Sequence, residues 1–205
     1  MSCLAPTPFG WEQDEYVNGL ANLVRDAGAE YERQQGKPDA IVVHLCKRPG
    51  RGREVAALKQ AVEEIGGGVP YALMHLNDGS SFRLFDSSHS TYVPPSGLVV
   101  ELSRRSALLL VEGRGAGQQR RQRGVPRVLD ISLDGRSTMD SDEFARLVEQ
   151  VHQFARVNWR GFNARAIPAT LNYSYLIARL VAEIGADRWN AVASAGRLRD
   201  KAWFL

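Results

Sequence analysis

The stretch Val157–Tyr173, VNWRGFNARAIPATLNY, constrains the fold of this chain more than any other. It joins an aromatic and basic patch to a helix start, because Pro168 suits a first helical turn, where its missing N–H has no partner in any case. Beyond it, apolar residues recur at i, i+3, i+4 and i+7, which predicts a helix with one buried face. That face consists of Tyr173, Leu176, Ile177, Leu180, Val181 and Ile184. N–H groups behind arginines can hold phosphates; the alternative is a surface helix with solvated arginines.

Short apolar runs of strand length alternate with helical periodicities along the rest of the chain. The predicted helices are Trp11–Gln35, Glu54–Ile65, Asp140–Val157 and the helix after Pro168. The predicted strands are Ile41–Cys46, Tyr71–Leu76, Ser81–Phe85, Leu98–Leu102, Ala107–Val111 and Val128–Leu133. The apolar first strand is predicted to be covered on both faces, and Asn77–Gly79 is predicted to turn a hairpin between the second and third strands. This order predicts an α/β fold whose sheet has mixed strand directions.

Length and composition are those of an ordinary globular protein. The chain has 205 residues, enough for one domain with a core, and a net charge of +3 that permits nucleic-acid binding without requiring it. It has two cysteines, Cys3 and Cys46, at no spacing that indicates a disulfide framework or a metal site. We therefore expect a reducing, cytoplasmic setting. The sequence contains no apolar run long enough to cross a membrane and no signal-peptide pattern at residues 1–10, so no membrane partner is expected.

Two loops concentrate positive charge. Residues 47–53, KRPGRGR, follow a predicted strand end directly, which is where ligands bind in open α/β sheets. Residues 113–127, GRGAGQQRRQRGVPR, carry five arginines and few apolar groups. Both suit a polyanion, and for both the alternative is a solvated basic loop.

Motifs of hydrolytic chemistry are missing from the sequence. It has no Gly-x-Ser-x-Gly elbow, no His-Glu-x-x-His pair and no phosphate-binding loop that ends in Gly-Lys-Ser/Thr. Two-metal nuclease chemistry needs several converging carboxylates, but Asp39, Asp78, Asp86 and Asp130 form no recognisable cluster. The residues alone favour a binding module over an enzyme.

Four sequence segments, taken in their order along the chain, resemble the C-terminal half of the PIWI domain of prokaryotic Argonaute proteins. These are IVVHLCKR, GVPRVLDISL, VNWRGFNARAIPATLNYSYLIARL and the final WFL. The resemblance covers roughly residues 40–205 and implies an RNase H-like mixed sheet with flanking helices. On this basis residues 1–205 are predicted to form a single PIWI-like domain, with residues 1–38 as its N-terminal helical segment. It also implies guide-directed binding of a target, in which base pairing supplies the sequence specificity, and a place in prokaryotic defence.

The catalytic positions of the family are altered here. Where cutting members end a strand with an aspartate, this chain has Cys46, and the last catalytic position corresponds to Tyr175. Neither residue replaces a carboxylate that binds Mg²⁺, because Mg²⁺ prefers hard oxygen ligands. The resemblance is therefore to the catalytically inactive type found in short Argonautes that pair with a separate effector, and we expect no enzyme activity.

The positions that contact the guide strand in the family are matched better than the catalytic positions. Arg160 matches an arginine that contacts the guide backbone, and Ala166 and Asn172 match positions that contact guide phosphates with other side chains. We add the neighbouring basic residues Lys47, Arg48 and Arg165 to this expected nucleic-acid-binding set. In several microbial members the C-terminal carboxylate helps to bind a metal ion at the guide 5′ phosphate. Leu205 would supply that carboxylate here, with Mg²⁺ as the ion.

The resemblance does not extend to the MID domain or the first PIWI strands, and we expect this chain to lack them. The implied partners are a guide and a target nucleic acid, RNA or DNA, and a partner chain that supplies MID and the remaining PIWI elements, or an effector. Two alternatives stay open beside the non-catalytic binding protein. One is a metal-dependent nuclease completed by a partner chain, and the other is an interaction remnant that binds no nucleic acid.

Overall fold

A computed structural model describes residues 13–46, 52–115, 126–157 and 166–193. Contacts divide the chain into two compact units. The first, the helical unit, comprises residues 1–39, 51–69 and 172–205, and the second, the sheet unit, comprises residues 40–50 and 70–171. The prediction of a single domain over residues 1–205, with residues 1–38 as a segment of it, stays a prediction.

The helical unit contains helices α1 (Gln13–Gln35) and α2 (Arg53–Gly66), most of α4 (Ala169–Ile184) and α5 (Ala186–Ala193). Helices α1 and α2 contact each other, and both bury small and branched apolar side chains: Val17, Ala21, Val55, Leu58, Ala61 and Val62. Arg25 forms an ion pair with Glu64, and Arg53 Nη2 lies 2.5 Å from Asp14 Oδ1. On α4 the predicted stripe is confirmed, since Tyr173, Ile177 and Val181 are buried while Tyr175 and Arg179 are exposed.

Gly28 lets α1 and α2 approach closely. A Cβ atom at this position would lie 2.5 Å from Cδ1 and 2.8 Å from Cγ2 of Ile65. Real carbon atoms do not approach so closely, so a side chain here would push the two helices apart or force Ile65 to move.

The sheet unit is built on five strands: β1 (Ile41–Cys46), β2 (Tyr71–Asn77), β3 (Leu98–Ser103), β4 (Ser106–Leu110) and β5 (Leu129–Leu133). Their order in the sheet is β1-β2-β5-β4-β3. β1 pairs with β2 in parallel, and the other neighbours are antiparallel. The predicted α/β fold with a mixed sheet and flanking helices is confirmed, and it is consistent with an RNase H-like PIWI fold.

Helix α3 (Ser141–Arg156) covers one face of this sheet. The helix begins at a capping box, in which Asp140 accepts hydrogen bonds from the N–H groups of Asp142 and Glu143 while Glu143 reaches back to the Asp140 N–H. Its apolar side packs on alternate residues of β2, β4 and β5. The contributors from α3 are Phe144, Leu147, Val148, Val151 and Ala155. Alternate strand residues therefore define an α3-facing side of the sheet and an opposite side.

Two strand predictions are wrong. Residues 81–85 form no strand, because both edges of β2 are occupied by β1 and β5, and a hairpin partner has nowhere to pair. The Arg83 guanidinium instead donates hydrogen bonds to the carbonyls of Ser80 and Phe82. β1 is also not covered on both faces: it lies at a sheet edge with Val42 37% exposed, whereas β2 is buried from Tyr71 to Leu76.

Within the ranges that the structure describes, none of the helices combines the length and the apolar character that crossing a membrane requires.

Candidate nucleic-acid interface

The end of β1 and the start of α4 meet in the sheet unit. His44 Nδ1 on β1 lies 2.7 Å from Thr170 Oγ1 in the first turn of α4. Apolar packing fixes the position of this helix start. Leu171 is part of the core on the α3-facing side of the sheet, and Ile167 packs against that core. The Leu171 N–H also donates to the Pro168 carbonyl at 3.0 Å, which closes the turn. We call the contact between His44 and residues 166–171 the β1–α4 junction.

His44 is neutral at this junction. The Phe154 ring of α3 stands edge-on to it, with ring centroids 6.4 Å apart and planes at 84°. Burial lowers the pKa of His44 to about 4, so at neutral pH the imidazole carries no charge and bonds to Thr170 as a neutral group. His44 therefore positions the strand end and adds no positive charge for a polyanion.

Cys46 is exposed at the last position of β1. The parallel register pairs His44 with Met74 and Cys46 with Leu76, and both partners belong to the α3-facing core. His44 and Cys46 therefore share that side of the sheet, in keeping with the two-residue alternation of a strand. The strand end therefore presents a thiol, whereas Mg²⁺ prefers hard oxygen ligands.

The Asp130 carboxylate, on β5, points to the other side of the sheet. Asp130 is opposite Asn77 in the β2–β5 register, but it alternates with Leu129 and Ile131, which face α3. The Asp130 side chain therefore leaves the sheet on the side opposite to Cys46. Across the described ranges, no group of three or more His, Cys, Asp or Glu side chains is arranged to hold a metal ion.

The other predicted site residues divide into two groups. Ala166 is exposed at the first residue of the junction, while Asn172 is half-buried and Tyr175 is 38% exposed on the part of α4 that belongs to the helical unit. Five predicted residues lie outside the described ranges: Lys47, Arg48, Arg160, Arg165 and Leu205.

The junction adds three residues that sequence patterns did not single out: His44, Thr170 and Phe154. Only the position of His44, two residues before Cys46 on the same side of a strand, hinted at such a role. Its partner Thr170 is 126 residues away in sequence, so no local pattern links them.

Two curated proteins match this chain along nearly its whole length. A Piwi protein from Archaeoglobus fulgidus is 26% identical over 93% of the chain. A protein argonaute from Cereibacter sphaeroides is 24% identical over 94% of the chain. This chain is a distant homologue of Piwi and Argonaute proteins. The predicted relationship to PIWI domains is thereby supported, and the inactive, short type stays a prediction.

The chain spans about half the length of the Piwi protein (48%) and about a quarter of the argonaute (26%). What these longer proteins do as wholes therefore does not transfer directly to it. No protein-family model matches the chain.

Proposed function

We propose that this chain is a non-catalytic, PIWI-like nucleic-acid-binding protein that helps to hold the 5′ end and backbone of a guide strand in an Argonaute-type complex. The homology to a Piwi protein and an argonaute over more than nine-tenths of the chain supports a guide-related role. The guide and its target are RNA or DNA. A partner chain supplies the MID domain and the remaining PIWI elements, or acts as the effector.

The observation that carries the proposal is the β1–α4 junction. Lys47 and Arg48 follow Cys46 directly in the chain, and Arg165 directly precedes Ala166. Both basic stretches are therefore attached to residues that the His44–Thr170 contact holds together. Two basic stretches anchored at one junction suit a phosphate backbone, because phosphate contacts position a strand without reading its sequence.

We propose that the chain is not catalytic because the side chains near this end of the sheet do not suit a metal ion. Cys46 stands where a carboxylate is required, and Asp130 projects from the opposite face. Tyr175 offers a phenol in place of the last metal ligand. A nuclease completed by a partner chain would have to bring nearly all of its carboxylates from that partner.

A divalent cation at the guide 5′ phosphate is part of the proposal. A protein anion beside the phosphate would repel it unless a cation such as Mg²⁺ lies between them. We therefore expect that affinity for a 5′-phosphorylated strand depends on Mg²⁺. A chelator should lower that affinity, and an affinity that the chelator leaves unchanged would contradict the cation.

The decisive measurement is fluorescence anisotropy with 5′-phosphorylated and 5′-hydroxyl single strands, of RNA and of DNA, together with any chain that copurifies. We expect tighter binding of the phosphorylated strand. Arg160→Ala should weaken binding about tenfold for every sequence, as expected for loss of one charge-assisted hydrogen bond worth roughly 1.5 kcal/mol. Arg33→Ala is the matched control, because Arg33 pairs with Glu30 on α1, away from the junction in sequence. Equal affinity for both strand ends, and no effect of Arg160→Ala, would leave an interaction remnant as the better explanation.

A further inference from the structure

A pocket opens between the β3–β4 hairpin and α3, within the sheet unit. Its volume is about 190 Å³, well above the roughly 10–15 Å³ that one water molecule needs. Its floor is apolar and comes from β4 and α3: Ala107, Leu109, Phe144 and Val148. The pocket therefore has room for a side chain with an apolar stem, and its floor would stabilise such a stem by removing it from water.

The rim of this pocket is acidic. Glu101 on β3 and Glu149 on α3 both line it. Glu149 accepts a hydrogen bond from Gln153 Nε2 at 3.3 Å, but in the part of the chain that the structure describes no lysine or arginine forms an ion pair with either carboxylate. Two carboxylates on two elements, above an apolar floor, suit a cation that reaches across from β3 to α3.

His152 forms the end wall without competing for these carboxylates. Its Nε2 lies 3.3 Å from Ser96 Oγ, and its ring fills the space beside Gly97, where a Cβ atom would come within 2.8 Å of Cε1. Burial, reinforced by Arg156, lowers the pKa of His152 although Glu149 opposes the shift. The imidazole is therefore neutral near pH 7, and the negative charge of the rim is left for a ligand.

β3 is the last strand in the sheet order and pairs only with β4 among the described strands. Its sequence, LVVELS, has neither a proline nor a lysine, and the features that limit strand pairing, Glu101 and a register shift between Glu101 and Ser103, lie at its C-terminal end. Val99 is 40% and Leu102 50% exposed on it, and Val99 also lines the pocket. An edge of this kind accepts a further strand, whose backbone gives affinity and whose side chains enter adjoining pockets.

We propose that β3 and this pocket form a docking site for an extended basic segment of a partner protein. The segment pairs with β3 as a sixth strand and inserts a lysine or arginine side chain into the pocket. The aliphatic stem lies on the floor, and the cationic head lies between Glu101 and Glu149. This inference goes beyond the proposed function, because it concerns binding of a polypeptide at a site other than the β1–α4 junction.

Two synthetic peptides test the site on the full chain. The probe is acetyl-Thr-Lys-Val-Lys-Val-Lys-Thr-amide, and its matched control replaces each lysine with glutamate. We expect the lysine peptide to bind more tightly than the glutamate peptide, and its affinity to fall as salt is added. Hydrogen exchange of the β3 amides should slow in its presence, which would separate strand pairing from diffuse attraction to acidic residues.

Three variants test whether the lysine peptide binds in this pocket. Glu101→Gln and Glu149→Gln should each weaken the lysine peptide by about two- to fivefold, the range for one exposed ion pair. Ala145→Trp should abolish binding, because Ala145 is exposed on α3 and lines the pocket, so an indole there fills the space without entering the core. Glu63→Gln on α2 is the matched control, since Glu63 pairs with Lys59 instead. All variants should keep the parental melting temperature.

Several results would overturn the proposal. Equal binding of both peptides, or binding that survives Ala145→Trp, would show that the pocket and its charge play no part. If sedimentation shows a dimer that Ala145→Trp converts to a monomer, the occupant is a second copy of this chain and not a basic partner segment. Loss of guide binding in Ala145→Trp would mean that the pocket serves nucleic acid. The proposed guide role stands or falls separately, on the Arg160→Ala result.

Discussion

At the scale of single residues, His44 shows how a strand residue can act through a distant contact. It bonds to Thr170, stands edge-on to Phe154 and has a pKa lowered to about 4 by burial. An unfolded histidine titrates near 6.5. Below that pH the unfolded chain takes up a proton that the folded chain excludes. Stability contributed by His44 is thus fully present above pH 6.5 and is lost as the pH falls towards 4.

We predict that His44→Gln flattens the pH dependence of stability. Glutamine does not titrate and can still bond to the Thr170 hydroxyl. The free energy of unfolding, measured in urea between pH 7.5 and 4.5, should fall more steeply for the parent than for the variant. The difference should approach, at most, about 3 kcal/mol at the acid end. Parallel curves for the two proteins would show that His44 is not the group that titrates.

Cys46 gives the second residue-scale prediction: neither the parent chain nor Cys46→Asp cleaves nucleic acid by itself. A carboxylate at the end of β1 is one ligand where several must converge, and Asp130 faces the other side of the sheet. The assay is incubation of guide–target duplexes with Mg²⁺ or Mn²⁺. Guide-dependent products from Cys46→Asp that are absent from Cys46→Asn would contradict this prediction and favour the nuclease alternative.

At the scale of elements, the close approach of α1 and α2 predicts that Gly28→Ala changes stability in opposite directions in two backgrounds. In the parent, Gly28→Ala should destabilise by about 1–3 kcal/mol, because its Cβ collides with Ile65. An Ile65→Ala background removes the three atoms nearest to that Cβ, and there the same change should stabilise by roughly 0.5–1 kcal/mol through helix propensity. Urea unfolding of the four proteins measures both effects. The same sign in both backgrounds would mean that the helices are not packed at Gly28.

The elements themselves were largely predictable, because each depends on local signals. The apolar period predicts α3, whose observed cap is Asp140, and the stripe from Tyr173 to Ile184 predicts the buried side of α4. Pairing was less predictable. Asn77–Gly79 does form a local turn, with the Gly79 N–H bonded to Asn77 Oδ1 at 3.1 Å. However, β5, which lies some fifty residues further on, takes the edge of β2 that a hairpin would need.

The candidate site was predictable only in part, for the same reason. The sequence indicated two basic stretches and the altered positions Cys46 and Tyr175, since these are properties of single segments. It did not indicate that His44 joins the two segments, nor that Asp130 faces away from Cys46. Those facts depend on sheet register and on a contact across 126 residues, which periodicity does not encode.

At the scale of the whole molecule, the net positive charge is small, and the basic residues are concentrated in a few segments. A net charge of +3 over 205 residues gives little overall attraction to a polyanion, and the described ends of α1 and α2 already pair their basic side chains with acids. Arg53, which the sequence groups with the basic loop at 47–53, lies 2.5 Å from Asp14. If the proposed function is right, a few basic residues supply the attraction to a nucleic acid, and binding should show a correspondingly moderate salt dependence.

We predict the size of that dependence. If about four of Lys47, Arg48, Arg51, Arg160 and Arg165 neutralise phosphates, log K for a single strand should fall against log salt with a slope of about −3. Arg160→Ala should reduce the magnitude of the slope by about 0.7, the contribution of one phosphate. Arg53→Ala is the matched control and should leave the slope unchanged, because Asp14 already engages that guanidinium. Anisotropy titrations from 50 to 300 mM salt, about a sixfold range, resolve these differences. A flat salt dependence in the parent would remove nucleic-acid binding from the proposed function, and an equal loss in both variants would place the binding surface away from the junction.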